Sequence, residues 1–492
     1  MEKRPNILWL CSDQQRFDTL GCYGNPFVRT PNLDRLAESG VLFTRAYCQN
    51  PVCTPSRASF LTGRYPRTCR ARQNGKEIPE EEVLVTRLLH DAGYTGGLAG
   101  KLHLSNCHPA YCKTRERRIN DGYDTFAWSH DHGNPFSWEG NEYASWLREQ
   151  GVEPPARPRP RREDCRYVRV GMPPELHHSK WCADRAIRFM EEAREKGKPW
   201  FFSLNWFDPH HPFDPPAEYL ERYLPILDRL PLPNYEPGEL ENKSSLQRSE
   251  HLGAYGKAGS FAYDEMTEYD HRMIRAAYYA MVDFLDVQVG RLLCYLEESG
   301  QLEDTIILFH SDHGESLGDH GMYLKGAYFY EGSVHVPLII SQKGRFRSGT
   351  VSNALVELTD LAPTLLDACG LPACPGMQGR SLLPLLTGEA PADRFRENVY
   401  CEFCKTDMQG EINAFCTMLC DGRWKLTKIH ALAPRYAPDC EGELYDLLTD
   451  PLERHNLYQD AAHAEVKVRM LEKLCDRIAL TADPLPLTSA PW

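Results

Sequence analysis

Three polar clusters in this sequence hold groups suited to chemistry, and each follows an apolar run. Leu10-Cys11 leads into Asp13-Gln14, Leu204-Asn205 into Asp208-Pro209-His210-His211, and Phe309-His310 into Asp312-His313-Gly314-Glu315. Asp13, Asp312 and His313 offer two hard carboxylate ligands and an imidazole nitrogen, a set that suits a divalent cation with room for a substrate oxygen. Singly, each would read as a cap or turn residue. The segment Cys53-Thr54-Pro55-Ser56-Arg57 adds a thiol where a helix is expected to start, because Pro55 and Ser56 favour a first turn and residues 56–62 have helical character. The free N–H groups of such an end favour an anion or a thiolate. An isolated cysteine, by contrast, is ordinarily a small buried hydrophobe.

Positioning these residues requires a sheet. Residues 6–11, 200–205, 305–309 and 336–340 read as short apolar strands of the kind buried on both faces. Helical patterns lie between them, clearest in Ile274, Tyr278, Met281, Leu285, Val289, Leu292 and Leu296, three and four apart on one face. Strands alternating with helices predict an α/β fold with a large, mostly parallel sheet flanked by helices. Ligands in such sheets bind at the carboxyl edge of the strands, where all three polar clusters fall. After about residue 386 the pattern changes. Residues 414–419, the Asp421-Gly422 turn and residues 423–427 predict a hairpin of a smaller antiparallel sheet. The expected division is a catalytic domain over 1–386 and an antiparallel sheet plus helix subdomain over 387–492. Insertions rich in Pro, Gly and charge are expected near 105–180 and 214–270. Residues 154–162 read as a solvated extended loop, and there is no internal repeat.

The 492 residues are 42% hydrophobic and 25% charged, which excludes disorder and coiled coil as the dominant state. A net charge of -13 argues against nucleic acid or an anionic membrane as partner, and leaves room for one locally positive pocket that takes a small anion. Residues 7–11, the apolar run nearest the start, are far too short for a signal-peptide core or a membrane span. With 18 scattered cysteines, this predicts reduced thiols in a cytoplasmic protein, unless a leader precedes this numbering.

Residues 53–57, continued by Ala58-Ser59-Phe60-Leu61-Thr62-Gly63-Arg64, resemble the signature of the type I, formylglycine-dependent sulfatases of the alkaline phosphatase-like superfamily. Similar blocks follow in the family's order over almost the whole chain: Pro5-Asn6-Ile7-Leu8, Thr30-Pro31-Asn32-Leu33-Asp34, Gly100-Lys101-Leu102-His103 and Pro209-His210-His211-Pro212-Phe213. Ser311-Asp312-His313-Gly314-Glu315, Lys325-Gly326, Asp421-Gly422-Arg423-Trp424-Lys425 and Glu443-Leu444-Tyr445-Asp446 continue the series.

The resemblance implies an alkaline phosphatase-like fold and hydrolysis of a sulfate ester, here expected on a saccharide or other sulfated small molecule. It implies that Cys53 is oxidised to formylglycine by a formylglycine-generating enzyme or an anaerobic maturase. Asp13, Gln14, Asp312, His313 and the modified Cys53 would hold one divalent cation, usually Ca2+. Arg57, Lys101, His103, His210 and Lys325 take the implied catalytic roles. Arg57 would hold the aldehyde hydrate, Lys101 and Lys325 the sulfate oxygens, His210 would protonate the leaving group, and His103 would deprotonate the second hydroxyl. Asn74 and His211 are further substrate-contact candidates, although Asn-Gly is first of all a turn and His211 can simply support His210. Gln14 stands where many sulfatases have a second aspartate, and His313 where many have asparagine. Phosphonate monoester and phosphodiester hydrolases share Asp-Gln at this point, which makes them the alternative and Mn2+ a second fit. Lys101 and His103 match the sulfatases. Oligomeric state is left open.

Overall fold

The computed structural model describes residues 4–108, 110–112, 114–131, 140–153, 161–433 and 442–487. Its main sheet is assembled from β1 (Asn6–Ser12), β2 (Val41–Phe43), β4 (Thr95–Gly100), β5 (Thr125–Trp128), β6 (Trp200–Asn205), β7 (Thr305–Ser311), β9 (Leu338–Ser341) and β10 (Thr350–Ser352). Their order across the sheet is β10-β2-β9-β7-β1-β6-β4-β5. All neighbours run parallel except those of β9, which is antiparallel to both β2 and β7. Three short strands, β3 (Ala46–Tyr47), β8 (His335–Val336) and β11 (Val356–Glu357), form a second small sheet.

The central strands are buried on both faces because alternate side chains feed different cores. Ile7, Trp9 and Cys11 of β1 pack with Phe60 and Leu61 of the helix Cys53–Thr62. Leu8 and Leu10 face the opposite way, towards Ile274, Met281, Leu285 and Leu292 of the long helix Glu268–Glu298. The periodic stripe expected in that helix is thus the one that covers the sheet. A capping box of Thr267 and Asp270 starts it.

The run 336–340 departs from the expected single parallel strand. Pro337 splits it, with β8 on one side in the small sheet and β9 on the other in the main one. Proline has no N–H to give to a ladder, so it sits where the chain changes sheets. The expected insertions also contain ordered structure. Residues 105–180 include the edge strand β5 and the helix Glu142–Glu149, and residues 214–270 include the capped helix Ser245–His251. Of the loop 154–162, residues 154–160 lie outside the described residues, and Arg162 pairs with Asp164 at the surface.

A separate antiparallel sheet runs β12 (Val399–Thr406), β13 (Ile412–Cys420), β14 (Trp424–Leu432) and β15 (Gly442–Asp446), in that order. The predicted hairpin is β13–β14, turning at Gly422 with φ of 90°. The helix Ala464–Leu480 packs on this sheet through Met470 and Leu474.

Buried ion pairs fasten this sheet to the main body. Glu357 accepts from the Tyr400 amide at 2.8 Å, the Tyr65 hydroxyl at 2.5 Å and Arg477 at 2.5 Å, with Arg396 at 3.5 Å. Lys425 reaches Glu331 at 2.5 Å and Glu453 at 2.8 Å. Burial alone would raise the Glu357 carboxyl, but Arg477 and Arg396 hold it below the ordinary carboxylate range. Its contribution is therefore complete above the unfolded-state pKa and is lost as pH falls through the lower folded value. Replacing it leaves the largely buried Arg477 without its carboxylate, whereas Arg396 keeps Asp360. Glu357→Ala is expected to cost about 3–5 kcal/mol at neutral pH, read by denaturant unfolding, with the deficit shrinking at acid pH.

Candidate active site

Four adjacent parallel strands, β7, β1, β6 and β4, end at one edge, and each sends polar residues past it. Asp13 and Gln14 follow β1, and Asp312 and His313 follow β7. Lys101 and His103 follow β4, and His210 and His211 follow β6. The register aligns Cys11 with both His310 and Asn205, and Gly100 with Asn205, so the four exits are level. The turn after β4 is tight. Gly100 has φ of 96°, and a Cβ there would stand 1.9 Å from the Asn205 carbonyl oxygen. Gln14 and His103 also adopt left-handed backbone, at φ of 63° and 57°, an unusual conformation for non-glycine residues that is typical of functional sites.

The helix Cys53–Thr62 points its N-terminus at this edge. It starts at Cys53, two residues before the expected Pro55, with Val52 extended as its cap. The side-chain oxygen of Asn74 accepts the Thr54 amide at 2.9 Å, so Asn74 satisfies one of the free N–H groups of that first turn. Ser56 bonds the Asp312 carbonyl at 2.5 Å and ties the helix to the end of β7.

Cys53 is only 1% exposed and sits among opposite charges. Its sulfur lies 3.0 Å from Lys325 Nζ, 3.4 Å from Lys101 Nζ and 3.1 Å from His313 Nε2. Burial would raise the thiol, but Lys101, Lys325 and His313 together hold it well below the ordinary thiol range. Arg57 bonds Asp312 through Nε at 2.9 Å, the Lys101 carbonyl at 3.0 Å and, more loosely, Asp13 at 3.5 Å. Lys101 also forms a short ion pair with Asp13. Against the effect of burial and of the Cys53 charge, Lys101 helps hold the Asp13 carboxyl low.

The donor set fits a cation. One ligand atom each from Asp13, Cys53, Asp312 and His313 lies within 4.8 Å of the others, and all four residues are buried. His313 donates from Nδ1 to the Gly314 carbonyl at 2.9 Å, so Nε2 is the nitrogen that would give up its proton to a bound cation. The Gln14 amide is oriented by a short bond from Nε2 to Glu315, and its Oε1 is buried with no hydrogen-bond partner. A buried amide oxygen in that state is costly unless something positive takes it. Asp13, Gln14, Asp312 and His313 thus present oxygen and nitrogen donors that a divalent cation would satisfy.

The histidines divide into two pairs. His210 bonds the His211 carbonyl through Nδ1 at 2.5 Å, and the two rings stack at 4.1 Å. His103 is held by its backbone, the amides of His103 and Leu104 donating to Glu116 at 2.8 and 2.9 Å. Both His210 and His103 lie close enough to bond the Cys53 sulfur. Burial and Lys101 push His103 down to about 4, and burial and Lys325 lower His210, so both are neutral bases in the resting site.

The sulfatase family profile matches residues 5–371, three-quarters of the chain, and covers all of these groups. The chain belongs to the sulfatase family. With it, the protein belongs among the sulfuric ester hydrolases. A second profile, N-sulphoglucosamine sulphohydrolase C-terminal, matches residues 318–479. The sulfatase is 31% identical to an arylsulfatase of Clostridium perfringens over 78% of each chain. It is 26% identical to an N-acetylglucosamine-6-O-sulfatase of Bacteroides thetaiotaomicron, over 96% of this chain and 86% of that one. Its fold matches the crystal structure of a phosphonate monoester hydrolase of Agrobacterium radiobacter with a TM-score of 0.81 at 28% identity, covering 98% and 97% of the two chains.

A cavity of about 240 Å3 in this sulfatase reaches the buried centre, lined by Lys325, Asn74, Glu250, Tyr255, Lys405 and Arg72 among others. The last four were not expected from sequence, and neither was the anchoring role of Glu116. Glu315 stands inside a recognisable block, which could have pointed to it; Glu250 and Lys405 sit in segments with no such pattern. No helix among the described residues is long and apolar enough to cross a membrane. Protein with unmodified Cys53 is expected to show, at neutral pH, thiolate ultraviolet absorbance that Cys53→Ser removes; absorbance rising only at alkaline pH would contradict the charge balance at this sulfur.

Proposed function

We propose that this enzyme hydrolyses a sulfate ester carried by a carbohydrate, using formylglycine made from Cys53 and a divalent cation, Ca2+ first, held by Asp13, Gln14, Asp312 and His313. The observation that carries this reading is the convergence of Lys101, Lys325, His103 and His210 on one buried sulfur at the end of a cavity. Curated relatives named for saccharide sulfate esters, such as the N-acetylglucosamine-6-O-sulfatase, support the carbohydrate. In this structure the Cys53 sulfur stands in for the oxygens that a hydrated aldehyde would present in the reacting enzyme.

The cation would lower the pKa of the attacking hydroxyl and draw charge from the sulfate. The hydrated aldehyde supplies one oxygen to attack sulfur and a second whose deprotonation expels sulfate, so water is not needed at sulfur in that step. Lys101 and Lys325, 3.4 and 3.0 Å from the sulfur, are placed to meet the non-bridging oxygens. Arg57 keeps Asp312 and Asp13 in place from behind. His210, with Nδ1 fixed on a carbonyl, turns its other nitrogen to the leaving oxygen. It is neutral at rest, and an arriving anion favours its protonation. His103 is the base for the second hydroxyl and stays neutral down to about pH 4.

Sulfate release from a panel of sulfated mono- and disaccharides by enzyme shown by mass spectrometry to carry the aldehyde is the test. No release from any would reject the carbohydrate reading. His210→Ala is expected to lower kcat on alkyl sulfates by about 10²–10⁴-fold and to spare an aryl sulfate with a good leaving group, since only the alkoxide needs a proton. An equal loss on both would remove His210 from this role.

A second reading, hydrolysis of phosphonate monoesters or phosphodiesters with the same nucleophile, is favoured by the likeness to the Agrobacterium enzyme and by Gln14 beside Asp13. The ratio of kcat/KM for an aryl sulfate over a phenyl phosphonate ester separates the two. It should exceed one here, and a ratio below one would make the phosphonate reaction the principal activity.

A further inference from the structure

His103 also belongs to a second group of metal-ligating side chains, whose other members, Cys107 and His130, the reaction does not use. One ligand atom each from His103, Cys107 and His130 falls within 4.8 Å of the others. His103 and Cys107 are 7% and 6% exposed. The rings of His103 and His130 meet edge to face at 4.5 Å, and Nδ1 of each is buried with no hydrogen-bond partner. Two adjacent imidazoles, one buried and one half-buried, that each leave a buried nitrogen unpaired are unusual. Glu116 fixes the frame, taking the His103 amide, the Leu104 amide and Trp128 Nε1 at 2.8, 2.9 and 2.7 Å, with the Cys107 sulfur 3.8 Å away.

We propose that His103, Cys107 and His130 form a second metal site, selective for a soft divalent cation of the Zn2+ class, and that filling it withdraws His103 from the reaction. The donor chemistry separates it from the first site, since one thiolate and two imidazoles suit zinc whereas carboxylate and amide oxygens suit calcium. With bonds of ~2.0–2.3 Å, a tetrahedral zinc ion sets its ligand atoms roughly 3.3–3.8 Å apart, so small side-chain rotations close the group and leave a fourth position open. Burial and Glu116 keep the Cys107 thiol protonated without metal, so each ion bound releases a proton and affinity rises with pH. The binding does not depend on the proposed reaction; its inhibitory effect rests on the role given there to His103.

Co2+ is the probe for the site and Zn2+ for its effect. In calcium-loaded full-length Cys53→Ser protein, one equivalent of Co2+ should produce thiolate-to-cobalt charge-transfer absorption that a further Cys107→Ala change removes and His130→Ala weakens. Absence of that band, or a band that survives Cys107→Ala, overturns the site. In the aldehyde-bearing enzyme, Zn2+ should lower activity at least tenfold, and Cys107→Ala, with unchanged activity in the absence of zinc, should lose most of that sensitivity. Equal inhibition of both proteins would place the zinc at Asp13, Asp312 and His313 and overturn the inhibitory coupling. The spectroscopic arm reads the same whether or not any sulfate ester is a substrate.

Discussion

The arrangement of this molecule depends on holding like and unlike charges out of water around Cys53. Lys101, Lys325 and Arg57 face Asp13, Asp312 and the cysteine sulfur, all of them 3% exposed or less. Removing any one of these ions from water costs several kcal/mol unless partners compensate it. With the sulfur ionised the six cancel. A neutral aldehyde hydrate in place of the thiolate leaves one excess positive charge, and a divalent cation would make it three. A centre with that balance is incomplete without an anion, which gives a net-acidic protein a local reason to bind an anionic ester.

That balance constrains the fold. Asp13, Asp312 and Lys101 come from three strand ends, Arg57 and the sulfur from the Cys53 helix and Lys325 from a loop well past β7, so the site exists only if β7, β1, β6 and β4 finish level. Gly100 allows the Lys101 strand to approach Asn205 closely, and Ser56 locks the helix to the residue that follows β7. Gln14 and His103 accept unusual backbone conformations as a consequence. The flanking cores on either face are what make those conformations tolerable, because neither segment can relax without unpacking a strand.

Much of this was legible in the sequence. The central strands showed as uninterrupted apolar runs because both faces are buried, and the long helix showed as a stripe because one face meets the sheet. The polar residues after those runs marked the functional edge, and the hairpin at Gly422 showed through turn chemistry. Contacts that depend on distant segments left no local signal. Glu116 anchors His103 from an insertion, and Glu250 and Lys405 reach the cavity from a short helix and from β12. Asn74 was expected at the substrate; the structure puts it on the cavity wall and also on the Thr54 amide, a pairing twenty residues apart in sequence. The antiparallel sense of β9 was equally invisible, although Pro337 marks where the chain leaves one sheet for another.

Sulfate and phosphonate chemistry would use the same residues, so discrimination must arise from charge rather than from the nucleophile. A phosphonate monoester and a sulfate monoester both present one negative charge, but they differ in how much charge the non-bridging oxygens bear as the bond breaks. Gln14 in place of an aspartate leaves the cation side less negative, which strengthens the pull on an anion and would favour the ester whose non-bridging oxygens bear more charge. Selectivity would then fall to Lys101 and Lys325, proposed to meet those oxygens, and to the cavity wall, proposed to meet the leaving group. Glu250, pushed up to about 7 by burial, and Lys405 stand on that wall. A polar leaving group with hydroxyls could use both, whereas a small apolar ester would add nothing to the Tyr255 amide that Glu250 already accepts at 2.6 Å. On the proposed reading the wall would favour a saccharide over a simple aryl ester through residues from the insertion and the C-terminal sheet, which the charged centre does not contain.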